Sequence, residues 1–205
     1  MNRALSISLK VLACFLIVLI VFGIFFFGIP PKKASAAILL VQTAKNTGND
    51  SVSATWSSST TTGNFLVATV ASLKVGSNPS ITAPSGWSQA VSIGDWATCC
   101  RITIFYKENA SAESSTGNFT SDSGTTMTLV VAEYSGVATS SSLDQTASNS
   151  GGSPTDPSTG TTGTTTQAGE LLIGGIGTAI NVSFSNPTNS FTIEASQSSE
   201  PGVAL

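Results

Sequence analysis

The run NFLVATVASL, residues 64–73, constrains the fold more than any other stretch of the chain. It is almost continuously apolar, of strand length, and bounded by the turn-forming clusters TTTG and GSNPS. A strand with one wet face alternates polar and apolar residues; an unbroken apolar run of this length belongs to a strand covered on both faces.

Neighbouring stretches carry the period-2 signal that would surround such a strand. In SVSATW (51–56) Val52, Ala54 and Trp56 share one face. In CRITIFYK (100–107) Ile102, Ile104 and Tyr106 stand opposite Thr103 and Phe105, and in TTMTLVVAEYSG (125–136) Met127, Leu129 and Val131 line one side. No stretch after the leader offers ten or more residues at helical period. The expected fold is therefore all-β, an antiparallel sandwich of jelly-roll type.

Composition narrows the setting. Only 9% of residues are charged, well below the roughly 25% of an average soluble domain, and serine, threonine, glycine and asparagine take their place. Four of the eight cations (Arg3, Lys10, Lys32, Lys33) sit in the first 36 residues. From Ala37 onward four cations face all eleven acids, a net charge of −7. A body so acidic cannot hold a phosphate backbone, so nucleic acid is not an expected partner.

The first 36 residues read as an export signal or a membrane anchor. A basic start precedes VLACFLIVLIVFGIFFFGI (11–29), then PPKK, then a small-residue site at Ala34 and Ala36. Cleavage after Ala36 is one outcome. Retention as an N-terminal hydrophobic helix is the other, since 19 uncharged residues would span about 28 Å, nearly a bilayer core. A lipoprotein cut before Cys14 would leave the apolar run on the mature chain. Each reading exports the body to the cell surface or beyond, with the membrane engaged only through this segment.

The body also resembles itself. TTTGNFLVATV (60–70) aligns with TTTQAGELLIGGI (164–176), and ITAPSGWSQAVS with FSNPTNSFTIEAS (184–196). The expected layout is a leader (1–36), a first β-repeat (37–145), a Ser/Gly/Thr/Pro-rich connection (146–163) and a second, truncated repeat (164–205), two related halves of one sandwich. The alignment sets Phe191 where the first copy has Trp87. Two large aromatics at equivalent places suit a structural plug, so Trp56, Trp87 and Phe191 are all expected in the core.

The order GNFLV, PSGW, ITIFYK, VVAEYSGV, LDQTAS, GELLIG resembles a family of secreted bacterial and phage-associated β-sandwich domains of large surface proteins. The resemblance covers about residues 38–196. It implies a surface or structural module beside adhesive or lectin-like domains, and it brings no catalytic residues with it.

Chemistry is restricted as well. The chain has no histidine, which excludes Ser-His-Asp and Cys-His catalysis and histidine metal sites. Most acids fall in turns; Glu133 alone lies well inside a strand-like run, and the expectation for all of them is solvated loops or outward strand positions. Asp95 and Asp144 are loop aspartates through which calcium could bind; otherwise no cofactor or metal is expected. Adjacent Cys99 and Cys100 form either two thiols on opposite strand faces or a strained vicinal disulfide. Trp96, in GDWATCC beside Asp95, is the expected exposed aromatic of a ligand site, where a sugar face could stack.

Taken together, these features predict an exported, non-enzymatic surface module for adhesion or carbohydrate binding, its partner a surface glycan or a protein. A secreted glycan-active enzyme using carboxylates is the alternative, and a ligand-free spacer of a surface or phage assembly the third reading.

Overall fold

The computed structural model describes residues 37–95, 100–150 and 157–205. The leader with Cys14 and Ala36, Trp96, Cys99 and the centre of the 146–163 connection lie outside the described residues. In chain order the strands are β1 (Leu39–Asn49), β2 (Ser51–Val52), β3 (Phe65–Leu73), β4 (Ile81–Thr82), β5 (Ser88–Asp95), β6 (Cys100–Lys107), β7 (Phe119–Ser121), β8 (Thr126–Ser135), β9 (Ile176–Thr178), β10 (Ser196–Gln197) and β11 (Gly202–Ala204). Among the described residues the protein is all-β, every strand pairing is antiparallel, and the architecture is consistent with a β-sandwich.

A five-stranded sheet, ordered β1-β8-β3-β6-β5, is the centre. Strand β3 is the apolar run singled out above, and with β8 it is buried along nearly its whole length. Alternation divides its side chains between two cores. Leu66, Ala68 and Val70 join Met127, Leu129, Val131, Phe105 and the aromatics Trp56, Trp87 and Phe119 on one face. Val67 and Ala71 join Val130, Ala132, Tyr134, Val203 and Leu205 on the other. A strand covered on both sides therefore reads as unbroken apolar sequence because each parity feeds its own core.

The first core is closed by a three-stranded sheet, β2-β7-β4. Only Ser51–Val52 of the alternating stretch 51–56 forms a regular ladder; Thr55 continues as an isolated bridge to Ser115 and the Trp56 amide donates to the Ser114 carbonyl at 3.0 Å. Val52, Ala54 and Trp56 nonetheless all point inward. Trp87 is 9% exposed and meets Phe119 edge-on at 5.3 Å between ring centroids, and Phe119 touches Phe105 in turn.

The second core is closed by the C-terminal stretch, whose strands pair as β10-β11-β9. Close approach to the sheet depends on two glycines. A Cβ on Gly175 would stand 2.9 Å from Ile104 Cδ1, and one on Gly177 would stand 3.1 Å from Ile102 Cβ. Polar ties fix the layer: the buried Thr128 hydroxyl donates to the Pro201 carbonyl at 2.7 Å, and Lys45 Nζ donates to the Ser196 carbonyl at 2.9 Å.

The described residues from Ala37 to Leu205 form one compact unit, in which the stretch after 164 packs on the sheet built from residues 39–135. Its local structure differs from that of the stretch it aligns with. Phe65–Leu73 is a nine-residue strand, whereas residues 171–173 form no strand. Phe191 departs from the expected core plug for the same reason: it lies in the outer layer, 41% exposed, while Trp87 is enclosed between two sheets.

Candidate functional site

Where the C-terminal layer crosses the end of β8, it leaves a half-open groove of about 300 Å³. Tyr134 forms its floor, paired in register with Leu40 on one side and Phe65 on the other. Residues 170–174 make one wall, residues 189–194 the other, and Leu205 closes the base.

The wall carrying Phe191 is shaped by the polar turn NPTNS. Asn189 and Ser190 adopt successive positive φ angles of 56° and 62°, and the Phe191 amide donates to the Thr188 carbonyl at 3.2 Å. Non-glycine residues in this conformation are uncommon, and two in succession turn the chain so that the next side chain is presented outward. The facing wall is bare where the ring needs room: a Cβ on Gly174 would lie 3.9 Å from Phe191 Cε1. Leu172, 62% exposed, adds an apolar rim.

Three polar groups face this apolar surface. The Glu194 amide donates to the Leu205 carbonyl at 3.0 Å, which sets the residue at the groove base, and its Oε1 accepts the Thr192 hydroxyl at 2.8 Å. Tyr134 is 4% exposed, and burial first, then the charge of Glu194, pushes its phenol up to about 12. The group is thus held protonated, a hydrogen-bond donor across the neutral range. Glu170 closes the opposite end; loss of solvent, then the hydrogen bond and charge of Asp144, raise its carboxyl above the ordinary range.

Asp144 is the lower-pKa member of that pair. It is held down chiefly by the Thr166 amide, which donates to Oδ2 at 2.7 Å, and also by the Thr166 hydroxyl at 3.1 Å from Oδ1. Two adjacent carboxyls that hydrogen-bond to one another share one proton and titrate as a pair. No lysine or arginine lines the groove. Among the described residues no group of three or more cysteines or acids is placed to hold a metal ion, so Asp144 is engaged by Thr166 and Glu170 instead.

A second polar cluster is internal. Glu133 is fully buried, against the expectation of an outward position, because its parity in β8 is that of Met127, Leu129 and Val131. Its Oε2 accepts Gln42 Nε2 at 2.6 Å, and its Oε1 accepts the Thr61 amide and Asn64 Nδ2, each at 2.7 Å. Gln42 is itself saturated by Ser57 and Ser58. This cluster fastens edge strand β1 and the 57–64 loop to the sheet.

Of the other residues singled out in the sequence, Asp95 ends β5, where it pairs in register with Cys100. Cys100 is buried at the start of β6. Cys100 is not among the residues that line the groove. The groove residues Tyr134, Glu170 and Glu194 were hidden because they lie far apart in sequence; the glycine pair 174–175 and the NPTNS turn were the local signals available.

The fold and groove together define an all-β, antiparallel protein with a half-open, acidic, aromatic-walled site. No protein-family model, curated protein or solved structure matches the chain.

Proposed function

We propose that this is an exported, non-enzymatic surface module of jelly-roll type that binds carbohydrate in the groove around Phe191. The observation that carries the reading is the juxtaposition of an exposed aromatic ring with hydrogen-bonding groups in one concavity. An apolar sugar face stacks on such a ring while its hydroxyls need fixed partners. Phe191 supplies the ring, and Tyr134, Asn189, Thr192 and Glu194 supply the partners. Trp96, the aromatic expected from the sequence, lies outside the described residues.

The strand orders support the architecture. β1-β8-β3-β6 facing β2-β7-β4 follows, in seven strands, the interleaving of two nested Greek keys, with β5 added at the edge beside β6; lectin domains share that framework. That is a fold-level analogy; the site carries the function. The motif order shared with secreted surface sandwiches fits the same reading.

The Asp144–Glu170 pair gives the carboxylate enzyme its one specific support. Glycoside hydrolysis, however, sets its two carboxyls about 5–9.5 Å apart across the sugar, whereas these two hydrogen-bond directly. Binding without cleavage therefore fits better.

A glycan array probed with the full chain tests the proposal, followed by Phe191→Ala. Expected is binding to a defined set of glycans, lost in the variant, with thermal unfolding unchanged because the ring is largely exposed. An array with no hits would leave the spacer reading, and a Phe191→Ala protein that binds undiminished would remove the groove from the account. Release of shortened sugars from a bound glycan, abolished by Asp144→Asn, would replace binding with catalysis.

A further inference from the structure

The groove combines features that select a particular sugar chemistry. Glu170 and Glu194 both line it, and neither lysine nor arginine does. Glu194 uses Oε1 for the Thr192 hydroxyl, and its Oε2 makes no hydrogen bond among the described residues. Tyr134 is an independent pointer to a ligand. Its side chain is more than nine-tenths buried, it forms the groove floor, and its hydroxyl makes no hydrogen bond to another described residue. The ring is buried but the hydroxyl oxygen keeps contact with solvent, so an acceptor arriving in the groove takes its hydrogen bond in place of water.

A neutral sugar would satisfy the Tyr134 hydroxyl but would bring no counter-charge to Glu194, while Glu170 is already paired with Asp144. A sugar carrying a protonated amine would satisfy both Tyr134 and Glu194. Its ring stacks on Phe191, an oxygen of the sugar accepts from the Tyr134 hydroxyl, and its ammonium donates to Glu194 Oε2, with Glu170 at the other end adding negative potential. The exposed face of Phe191 also favours a cation over an uncharged group. An anionic sugar is disfavoured on the same grounds, and the −7 charge of the body reinforces this at longer range.

We infer that the groove is selective for amino sugars with a free, protonated amine, that is, for de-N-acetylated glycans over their N-acetylated counterparts. The inference rests on the carbohydrate reading and sharpens it.

The test is isothermal titration of the full chain with a β-1,4-linked glucosamine tetramer and, separately, with the matching N-acetylglucosamine tetramer, at mildly acidic pH. The expected result is at least about tenfold tighter binding of the free-amine oligomer, about 1.4 kcal/mol, weakening as salt is added. Glu194→Gln keeps an acceptor for Thr192 and is expected to remove most of that preference without lowering the unfolding temperature. Should that variant unfold, Glu170→Gln provides the second reading of the same preference.

Equal affinity for the two oligomers, or tighter binding of the acetylated one, overturns the inference and leaves carbohydrate binding intact. Array hits confined to neutral or acidic glycans overturn it too. Failure of every glycan overturns both. Choline is the control for the bare cation: if it binds as tightly as the glucosamine oligomer, the groove is an ammonium site without sugar selectivity, and the inference falls.

Discussion

Glu133→Ala is the sharpest probe of how this sandwich is held together. The substitution removes one buried carboxylate and with it the acceptor of three hydrogen bonds, from Gln42 Nε2 at 2.6 Å and from the Thr61 amide and Asn64 Nδ2 at 2.7 Å. Hydrogen bonds to a charged group contribute about 1.5–3 kcal/mol each, a gross of about 5–9 kcal/mol. Much of that is recoverable, because Gln42 and Asn64 are only partly buried and Thr61 is exposed, so water can reach the abandoned donors. Taking each donor at the low end of the cost of an unmade bond, about 1 kcal/mol, the expected loss is about 3 kcal/mol. For a unit of this size that corresponds to a fall in Tm of about 6–12 °C.

Glu133→Gln isolates the direction of the donors. It keeps the shape and one acceptor oxygen but sets an amide against the Gln42 amide, and Gln42 cannot turn over without losing the Ser57 and Ser58 donors to its Oε1. A cost of about 1–2 kcal/mol is expected. Adding Gln42→Glu moves the carboxylate onto β1 and restores a donor facing an acceptor. The double variant is therefore expected to be more stable than the sum of the singles by about 1 kcal/mol or more. Urea denaturation followed by far-UV circular dichroism measures all four proteins. The reasoning is refuted if Glu133→Ala stays within about 0.5 kcal/mol of the parent, or if the double variant shows no coupling.

Two further outcomes are expected. Trp87→Ala should cost about 3–5 kcal/mol by urea denaturation, from lost burial and the cavity left beside Phe119; Trp87→Phe should cost less than about 2 kcal/mol, because the indole N–H is buried without a partner and its removal leaves nothing unpaired. In a Tyr106→Phe background, ultraviolet titration of the remaining tyrosine, Tyr134, should show a folded-state pKa near 12. Because that value is raised above the ordinary phenol value of about 10, the stability it contributes is complete below pH ~10 and is lost as pH rises through ~12; ionisation near 10 with the fold intact would contradict the burial.

The central sheet was legible because its signals are local. An apolar run between turn clusters identified β3, and period-2 alternation assigned the correct faces to β6 and β8, since every parity there faces a different core. Glu133 obeys the same parity as Met127, Leu129 and Val131 and is buried, against the expectation that acids face solvent. In a strand covered on both sides there is no outward position, so a carboxylate there must be buried and must find donors. Its donors come from β1 and the 57–64 loop, at distances in sequence that no periodicity reveals.

The C-terminal stretch takes a different local structure from the first half. Its likeness to the first half is real as a pattern of residues, GELLIG against GNFLVA and a proline turn followed by an aromatic. A pattern of this kind specifies a strand only where neighbours complete the ladder, and by residue 164 the central sheet already has its five strands. The stretch instead pairs its own short strands, β10-β11-β9, into a layer that covers an existing face. Glycines that would weaken a strand become necessary here, because Gly175 and Gly177 let the backbone lie flat on Ile104 and Ile102. The same close seating explains why the groove exists at all. A layer held down at Gly175, Gly177 and Thr128 but turned outward at Asn189 and Ser190 must part from the sheet between those points, and it does so over Tyr134. The aromatic that the repeat pattern assigned to a core thus becomes the wall of an open site.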